Sequence, residues 1–252
     1  MSESPATVRR PKQTPPERIG LLLALSVAAA VLAVTSVEAV DVCASRDRMV
    51  REQIESRGIT NAAVLAAMYR VPRHEFVPER WIDAAYEDHP LPIGHGQTIS
   101  QPYIVALMTE LLQPSRGAKV LEVGTGSGYQ AAILAEVGAE VYSIEILEPL
   151  AKESADRLRR LGYDRVHVKQ GDGYLGWPEH APFDAIIVTA GADHIPPPLV
   201  EQLKTGGRMV IPVGEARGEQ MLMLVEKGLD GKVTTHNVAL VLFVPLTREP
   251  AS

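Results

Sequence analysis

A glycine-rich turn that begins with an acidic residue carries the clearest chemical signal in this sequence. Residues 122–129 read EVGTGSGY, follow a short apolar run and precede a helix-forming segment. Glycines in a strand-to-helix turn let the backbone approach a ligand closely, because they carry no Cβ atom. The residues expected to contact a cofactor here are Glu122, Gly124, Thr125, Gly126 and Gly128.

The spacing of these glycines indicates which ligand the turn would bind. A dinucleotide site follows G-x-G-x-x-G, whereas here the third glycine comes two residues after the second. A pyrophosphate also favours a helix N-terminus without a neighbouring negative charge. Glu122 therefore favours a neutral or cationic ligand. We predict S-adenosylmethionine, whose amino-acid end carries an ammonium and a sulfonium group.

Further acidic residues follow the next two predicted strands. Glu145 ends the run EVYSIE, 17 residues beyond Gly128, where a carboxylate can accept hydrogen bonds from both ribose hydroxyls. Asp172 and Gly173 follow the third strand, within reach of an adenine. Because the carboxyl ends of parallel strands share one edge of a sheet, we expect these residues and the glycine turn to form one cofactor site.

The apolar pattern predicts the fold that must position these residues. Short apolar runs alternate with helical segments, which is typical of a Rossmann-like, doubly wound α/β fold with a mainly parallel sheet. An antiparallel strand pair is expected to complete it at the C-terminal end. The predicted strands are 119–123, 140–145, 165–169, 183–189, 207–213, 220–226 and 237–244, and the predicted helices among them are 130–137, 149–161 and 198–203.

A proline-rich segment ahead of this core is a candidate substrate loop. Residues 71–102 contain five prolines and little regular pattern, and long irregular segments inside a domain commonly serve binding. A helix is predicted over 102–112, and Ser100 is placed to cap its first turn.

Five segments together resemble one methyltransferase family. The chain is similar to the protein-L-isoaspartate (D-aspartate) O-methyltransferases over about residues 46–248. The resemblance implies transfer of a methyl group from S-adenosylmethionine to the α-carboxyl of isoaspartyl or D-aspartyl residues in damaged proteins, which initiates their repair. The segments are LPIGHGQTISQP at 91–102, VLEVGTGSGYQAAILA at 120–135, GDGYLGWPEHAPFDAIIVTA at 171–190, GGRMVIPVG at 206–214 and FVPL at 243–246.

The resemblance also assigns roles within the loop over 91–102. The active-site serine of the family falls on Ser100, while Gln97, Thr98 and Ile99 are presented to cofactor and substrate. A carboxylate with a pKa of about 4 is already ionised at neutral pH, so this nucleophile needs no activating base. His95 is accordingly expected to face solvent rather than act as a base.

Composition and charge exclude several classes of protein. The chain has 252 residues, 46% of them hydrophobic, and a net charge of −6, which fits a globular protein and disfavours nucleic acid as a partner. Cys43 is the single cysteine, which excludes an internal disulfide and a multi-cysteine metal site. The histidines lack ligand spacing such as H-E-x-x-H, so we predict no metal. We expect a monomer.

Three other functions stay open at this point. The nearest is an S-adenosylmethionine-dependent methyltransferase that acts on another acceptor, which the QTISQP loop disfavours. An NAD-dependent oxidoreductase is contradicted by the glycine spacing and by the lack of a Tyr-x-x-x-Lys proton donor. A membrane-anchored binding module without catalysis has only the apolar N-terminal segment in its favour.

The N-terminal segment predicts a secretory signal peptide or an uncleaved membrane anchor. Four basic residues between positions 9 and 18 precede the uncharged stretch 19–37, and Ala39 ends a possible cleavage site. This divides the chain into residues 1–39 and a methyltransferase domain over 40–252. Within the domain, we assign helices and the substrate loop to 45–117 and the cofactor-binding core to 118–248.

The same N-terminal segment also predicts where in the cell the enzyme is located. The positive charges hold it on the cytoplasmic side of a membrane, so the residues that follow are expected outside. We predict export to the periplasm, with a mature N-terminus near Val40. Any membrane contact would be through residues 1–39 if they are uncleaved. Proteins of the family that the chain resembles are usually cytoplasmic, and that location is the alternative.

Overall fold

A seven-stranded sheet lies at the centre of the computed structural model, which describes residues 41–216 and 218–248. A two-stranded hairpin, β1 and β2, precedes this sheet in the chain. The strands are β1 Leu91–Gly94, β2 Gln97–Ile99, β3 Lys119–Val123, β4 Glu140–Glu145, β5 Val166–Gln170, β6 Phe183–Val188, β7 Leu203–Gly214, β8 Gln220–Lys227 and β9 Val233–Val241.

The order of the strands confirms the predicted doubly wound fold. In space they run β5-β4-β3-β6-β7-β8-β9, with β6 in the middle and β3 beside it. The pairings among β3, β4, β5, β6 and β7 are parallel, whereas β7–β8 and β8–β9 are antiparallel. The chain reverses its direction of strand addition after β5, and the carboxyl ends of β3 and β6 flank this switch point, where ligands bind in such sheets.

Helices pack on the sheet and cover its apolar residues. The first helix, α1 Val42–Arg48, continues into a π-helical segment, Met49–Ile54, and a 3₁₀ turn, Glu55–Arg57. Further 3₁₀ turns are Arg73–Phe76, Glu79–Trp81, Gly173–Leu175 and Pro178–His180. The α-helices are α1 Val42–Arg48, α2 Ala62–Arg70, α3 Pro102–Leu112, α4 Tyr129–Glu136, α5 Glu148–Arg160 and α6 Pro197–Gln202.

Two apolar clusters form the core, and they contain alternate residues of β3. Val120 packs with α2, α3 and α4 in one cluster, and Leu121 packs with α6 and neighbouring strands in the other. Both residues are fully buried. A strand buried on both sides needs apolar residues at successive positions, which explains why this strand is apolar throughout most of its length.

The described helices do not include a membrane span. Within residues 41–216 and 218–248, no helix combines the length and apolar character needed to cross a bilayer. The predicted signal or anchor over 1–39 lies outside the described residues.

Candidate active site

A cavity opens at the carboxyl ends of β3, β4 and β6, at the switch point of the sheet. Its walls come from the glycine turn after β3, the end of β4, the loop that contains β2 and the C-terminal residues 244–247. Several predicted site residues therefore come together here. Those that line the cavity are Gln97, Thr98, Ile99, Ser100, Gly124, Thr125, Gly126, Glu145 and Gly173.

The glycine turn has a backbone conformation that demands glycine. Gly124, Gly126 and Gly128 have φ angles of 100°, 52° and 87°, in the left-handed region that side chains disfavour. A Cβ atom on Gly124 would also collide with Thr189 Oγ1, which donates a hydrogen bond of 2.6 Å to the Gly124 carbonyl. At Gly126 the nearest atom would be Ile93 Cδ1 at 3.5 Å, an ordinary contact. Gly124 is thus the most strictly constrained position in the cavity wall.

Glu145 presents a carboxylate that is held in place at the edge of the cavity. It is 5% exposed, and its two oxygens accept hydrogen bonds from Gly126 N at 2.8 Å and Leu147 N at 3.0 Å. A carboxylate oxygen can accept more than one hydrogen bond. Glu145 therefore ties β4 to the glycine turn and still has acceptor capacity for a ligand's hydroxyl groups.

Glu122, which the sequence predicted to contact the cofactor, is fully buried and does not line the cavity. Burial raises the pKa of Glu122 to about 8, although a hydrogen bond from Ser143 opposes this rise. The Ser143 hydroxyl lies 2.6 Å from Thr125 Oγ1. The acid thus supports the turn from within as a mainly neutral group at pH 7.

Two more predicted cofactor residues lie outside the cavity wall. Gly128 is the N-cap residue of α4, where its positive φ angle turns the chain into the helix. Asp172 accepts hydrogen bonds from Tyr174 N at 2.9 Å and Arg248 Nε at 3.3 Å, so both of its oxygens are engaged by the protein. Only its neighbour Gly173 reaches the cavity. The two residues shape the site rather than face it.

A second cavity adjoins the first and shares part of its wall. Thr98, Ser100, Thr189 and Val244 line both cavities. The second one is otherwise mainly apolar and includes Pro90, Gln101, Ile104, Glu219 and residues 240–243. Within the described residues, no lysine, arginine or histidine lines either cavity. The shared wall is the place where a group could pass from one bound molecule to another.

Ser100 lines both cavities and does not cap the helix α3, which corrects the predicted capping role. The N-cap residue of α3 is Gln101, whose side chain makes no capping hydrogen bond. Neither the hydroxyl of Ser100 nor that of Thr98 makes a hydrogen bond with another described residue. Both hydroxyl groups are therefore available to a molecule in either cavity.

The loop before α3 is more regular than the sequence indicated. β1 and β2 form an antiparallel hairpin whose turn contains Gly94, His95 and Gly96, all with positive φ angles. The side chain of His95 lies 4.0 Å from Glu153, is 43% exposed and does not line the cavities. The hairpin positions Thr98 and Ile99 at the cavity. The prolines of this segment had indicated an irregular loop instead of two strands.

Sequence reasoning did not identify Thr189 and the C-terminal residues as parts of the site. Thr189 follows β6, and its hydroxyl also donates to Val123 O at 3.0 Å. The first cavity is also lined by Val244, Pro245, Leu246 and Thr247. The FVPL segment was noted only as part of a family resemblance, because nothing in its composition signals ligand contact.

Comparisons of the sequence with known proteins identify one family. The family model described as protein-L-isoaspartate (D-aspartate) O-methyltransferase matches residues 44–251. A protein-L-isoaspartate O-methyltransferase of Opitutus terrae is 63% identical over 204 residues, which cover 81% of this chain and 87% of the relative. A relative of the same description from Nitrosospira multiformis is 62% identical over 206 residues, with the same two coverages.

Solved structures agree with the sequence comparison. A protein-L-isoaspartate O-methyltransferase matches with a TM-score of 0.75 and 30% identity, over 81% of this chain and 67% of that one. A protein of this type from Plasmodium falciparum, crystallised with S-adenosyl-L-homocysteine, matches with a TM-score of 0.68 and 27% identity, over 80% of this chain and 98% of that one.

Proposed function

The chain belongs to the protein-L-isoaspartate (D-aspartate) O-methyltransferase family, and we propose that its two adjoining cavities hold S-adenosylmethionine and an isoaspartyl residue of a damaged protein. The protein is an S-adenosylmethionine-dependent carboxyl methyltransferase. The observation that carries the assignment of the cavities is their shared wall, because Thr98 and Ser100 line both of them.

The first cavity has the chemistry that the cofactor requires. The close approach of the backbone at Gly124 and Gly126 leaves room for the amino-acid end of the cofactor. Glu145 supplies the carboxylate for the two ribose hydroxyls, and Gly173 lies on the side expected for the adenine. These residues fit S-adenosylmethionine, which supplies an electrophilic methyl group on a positively charged sulfur.

The second cavity suits a carboxylate nucleophile on a peptide. An isoaspartyl α-carboxylate is ionised at neutral pH, and among the residues that the structure describes no basic side chain lines the cavity to pair with the negative charge. Ser100 and Thr98 can donate hydrogen bonds from neutral hydroxyls, which hold the carboxylate without quenching its charge as a lysine pair would. The neighbouring apolar residues can accommodate the peptide chain on either side.

The reaction then requires positioning more than proton transfer. One carboxylate oxygen forms a bond to the methyl carbon while the carbon–sulfur bond breaks and leaves its electron pair on sulfur. The products are a methyl ester and S-adenosylhomocysteine, so charge and atoms balance. Holding the two reactants in line across the shared wall can contribute about 7 to 11 kcal/mol to catalysis.

A methyl-acceptance assay with matched peptides tests this function. The purified protein is given methyl-labelled S-adenosylmethionine and one of two peptides that differ only in an isoaspartyl or aspartyl linkage. We expect label in the isoaspartyl peptide alone, and about 10- to 150-fold slower labelling when Glu145→Ala replaces the wild type at a low cofactor concentration. Equal labelling of both peptides would show that the acceptor is a different one.

We propose also that residues 1–39 direct export of the enzyme, as their charge pattern suggests. The repair reaction would then take place outside the cytoplasm and depend on the supply of cofactor there. Mass spectrometry of the N-terminus in separated cell fractions tests this proposal. A start near Val40 in the exported fraction supports it, whereas an intact Met1 on a soluble cytosolic protein contradicts it.

We further propose that the enzyme acts as a monomer, because one chain supplies the walls of both cavities. Light scattering on the eluting protein should give the mass of a single chain at assay concentrations. A dimer that retains its mass on dilution would contradict this proposal.

A further inference from the structure

The C-terminal strap, defined here as residues 242–248, follows β9 and lines the first cavity, the one proposed for the cofactor, through residues 244–247. Its middle is fixed by the backbone of Gly191, which donates to Val244 O and accepts from Leu246 N, both at 2.8 Å. Its start is fixed by the buried Gln220, whose side chain accepts a hydrogen bond of 2.7 Å from Phe243 N. The strap is thus firmly attached up to Leu246.

The end of the strap depends on a single side chain. Thr247 is the last residue that lines the cofactor cavity, and Arg248 follows it. Within the described residues, the hydrogen bonds of the strap beyond Leu246 come from Arg248 alone. Its Nε donates to Asp172 Oδ2 at 3.3 Å, and its guanidinium carbon lies 4.2 Å from the centre of the Tyr174 ring.

The two partners of Arg248, Asp172 and Tyr174, lie on either side of Gly173 in the chain, and Gly173 lines the same cavity. Asp172 accepts from Tyr174 N and precedes Gly173, which lines the cavity. The Tyr174 hydroxyl lies 3.0 Å from His194 Nε2, and His194 Nδ1 lies 2.6 Å from Asp193 Oδ1. The ring that Arg248 covers is therefore oriented by its own contacts. Arg248 therefore connects the strap, which lines the cavity through residues 244–247, to the turn after β5, which lines it through Gly173.

We infer that Arg248 is a positioning residue that latches the strap over bound S-adenosylmethionine. This inference rests on the proposed function of the first cavity. The latch acts on cofactor retention and not on the transfer step, because Arg248 lines neither cavity. The cofactor or its product can leave on this side only when the Arg248 contacts with Asp172 and Tyr174 open.

The strength of the latch suits a contact that opens in every catalytic cycle. The Arg248 side chain is 58% exposed and that of Asp172 is 20% exposed, so solvent screens the ion pair substantially. An exposed ion pair and a cation–π contact each contribute modestly. Together they should change cofactor affinity by about three- to tenfold.

Three variants test the latch by calorimetry with S-adenosylhomocysteine. Arg248→Ala removes both contacts, and Arg248→Lys keeps a positive charge that can reach the same partners. Arg159→Ala is the matched control, because it breaks an exposed ion pair with Asp156 of 2.9 Å on α5, away from the cavity. The thermal midpoint of each variant is measured in parallel.

We expect Arg248→Ala to raise the dissociation constant and the KM for S-adenosylmethionine about three- to tenfold, with kcat at saturating cofactor within twofold of wild type. Arg248→Lys should recover much of the affinity, and Arg159→Ala should match the wild type. Equal affinities of Arg248→Ala and Arg159→Ala would overturn the latch while the proposed function stands. Failure of the wild type to bind S-adenosylhomocysteine would overturn both.

Discussion

Ser100 is the residue on which the assignment of the shared wall can be tested most simply. Its hydroxyl is not engaged by the described residues and can donate to the substrate carboxylate. A hydrogen bond to a charged group contributes about 1.5 to 3 kcal/mol, so Ser100→Ala should lower kcat on an isoaspartyl peptide about 10- to 150-fold. Affinity for S-adenosylhomocysteine should change less than twofold. Ser115→Ala, an exposed serine outside both cavities, should keep full activity, and equal rates of the two variants would remove Ser100 from the mechanism.

Substitution of Glu145, unlike that of Ser100, should mainly weaken cofactor binding. Glu145→Ala loses the proposed ribose hydrogen bonds and the two backbone contacts that fix the turn. We expect the dissociation constant of S-adenosylhomocysteine to rise about 10- to 150-fold by calorimetry. Glu148→Ala, an exposed acid three residues further along, serves as the control. An effect below twofold for Glu145→Ala would place this carboxylate outside the cofactor site.

The raised pKa of Glu122 predicts that the stability of the folded protein depends on pH. Burial raises the pKa of Glu122 from an ordinary value of 4.5 to about 8. Because the pKa is higher in the folded state than in the unfolded state, protonated Glu122 favours folding fully below pH 4.5, and this contribution is lost as the pH rises to about 8.

The variant Glu122→Gln stays neutral at every pH and removes this dependence. Its melting temperature relative to the wild type should therefore increase between pH 5 and pH 9. A gain of about 1 kcal/mol in the free energy of unfolding would raise the melting temperature of a domain of this size by about 2 to 4 °C. A difference that stays constant over the whole range, measured by scanning calorimetry, would refute the buried neutral state.

Part of the site could be predicted from residue types, because the carboxyl ends of the parallel strands lie together at one edge of the sheet. Gly124, Gly126 and Glu145 line the cavity as expected from their positions after β3 and at the end of β4. Glu122 and Asp172 do not, because the sequence gives the residue type but not the direction of the side chain. Glu122 points below the turn, and a distant arginine engages Asp172.

At the scale of elements, local periodicity predicted β3 and β4 to the residue and most other boundaries within two residues. β7 begins at Leu203, earlier than expected, since this strand pairs with β6 before the predicted start at Gly207. β9 ends at Val241, because the chain then leaves the sheet to meet Gly191. Such departures depend on partners distant in sequence, which local patterns do not contain.

The β1–β2 hairpin was concealed by its prolines and glycines. The turn of this hairpin also gives a prediction. His95 lies in the turn with a φ angle of 51°, and its side chain is exposed and lines neither cavity. His95→Ala should therefore leave kcat within twofold of wild type and add no pH dependence near neutrality. A rate loss that grows across neutral pH in steady-state assays would revive His95 as a general base.

At the scale of the whole molecule, the sheet order was predictable and the closure of the site was not. Alternating strands and helices imply parallel crossovers and a switch point. The two cavities, however, also need Thr189, which is 89 positions from Ser100 along the chain, and the C-terminal strap, which begins 142 positions from it. Contacts at that separation follow from the assembled fold and have no signature in a local motif.

The most direct test of the account is a crystal structure of the protein with S-adenosylhomocysteine and an isoaspartyl peptide. We predict the nucleoside in the first cavity with its ribose on Glu145, and the isoaspartyl α-carboxylate in the second. One carboxylate oxygen should lie within about 2.5 to 3.0 Å of Ser100 Oγ and face the sulfur across the shared wall. A peptide bound elsewhere, or a carboxylate that points away from the sulfur with Ser100 in contact only with protein, would contradict the account.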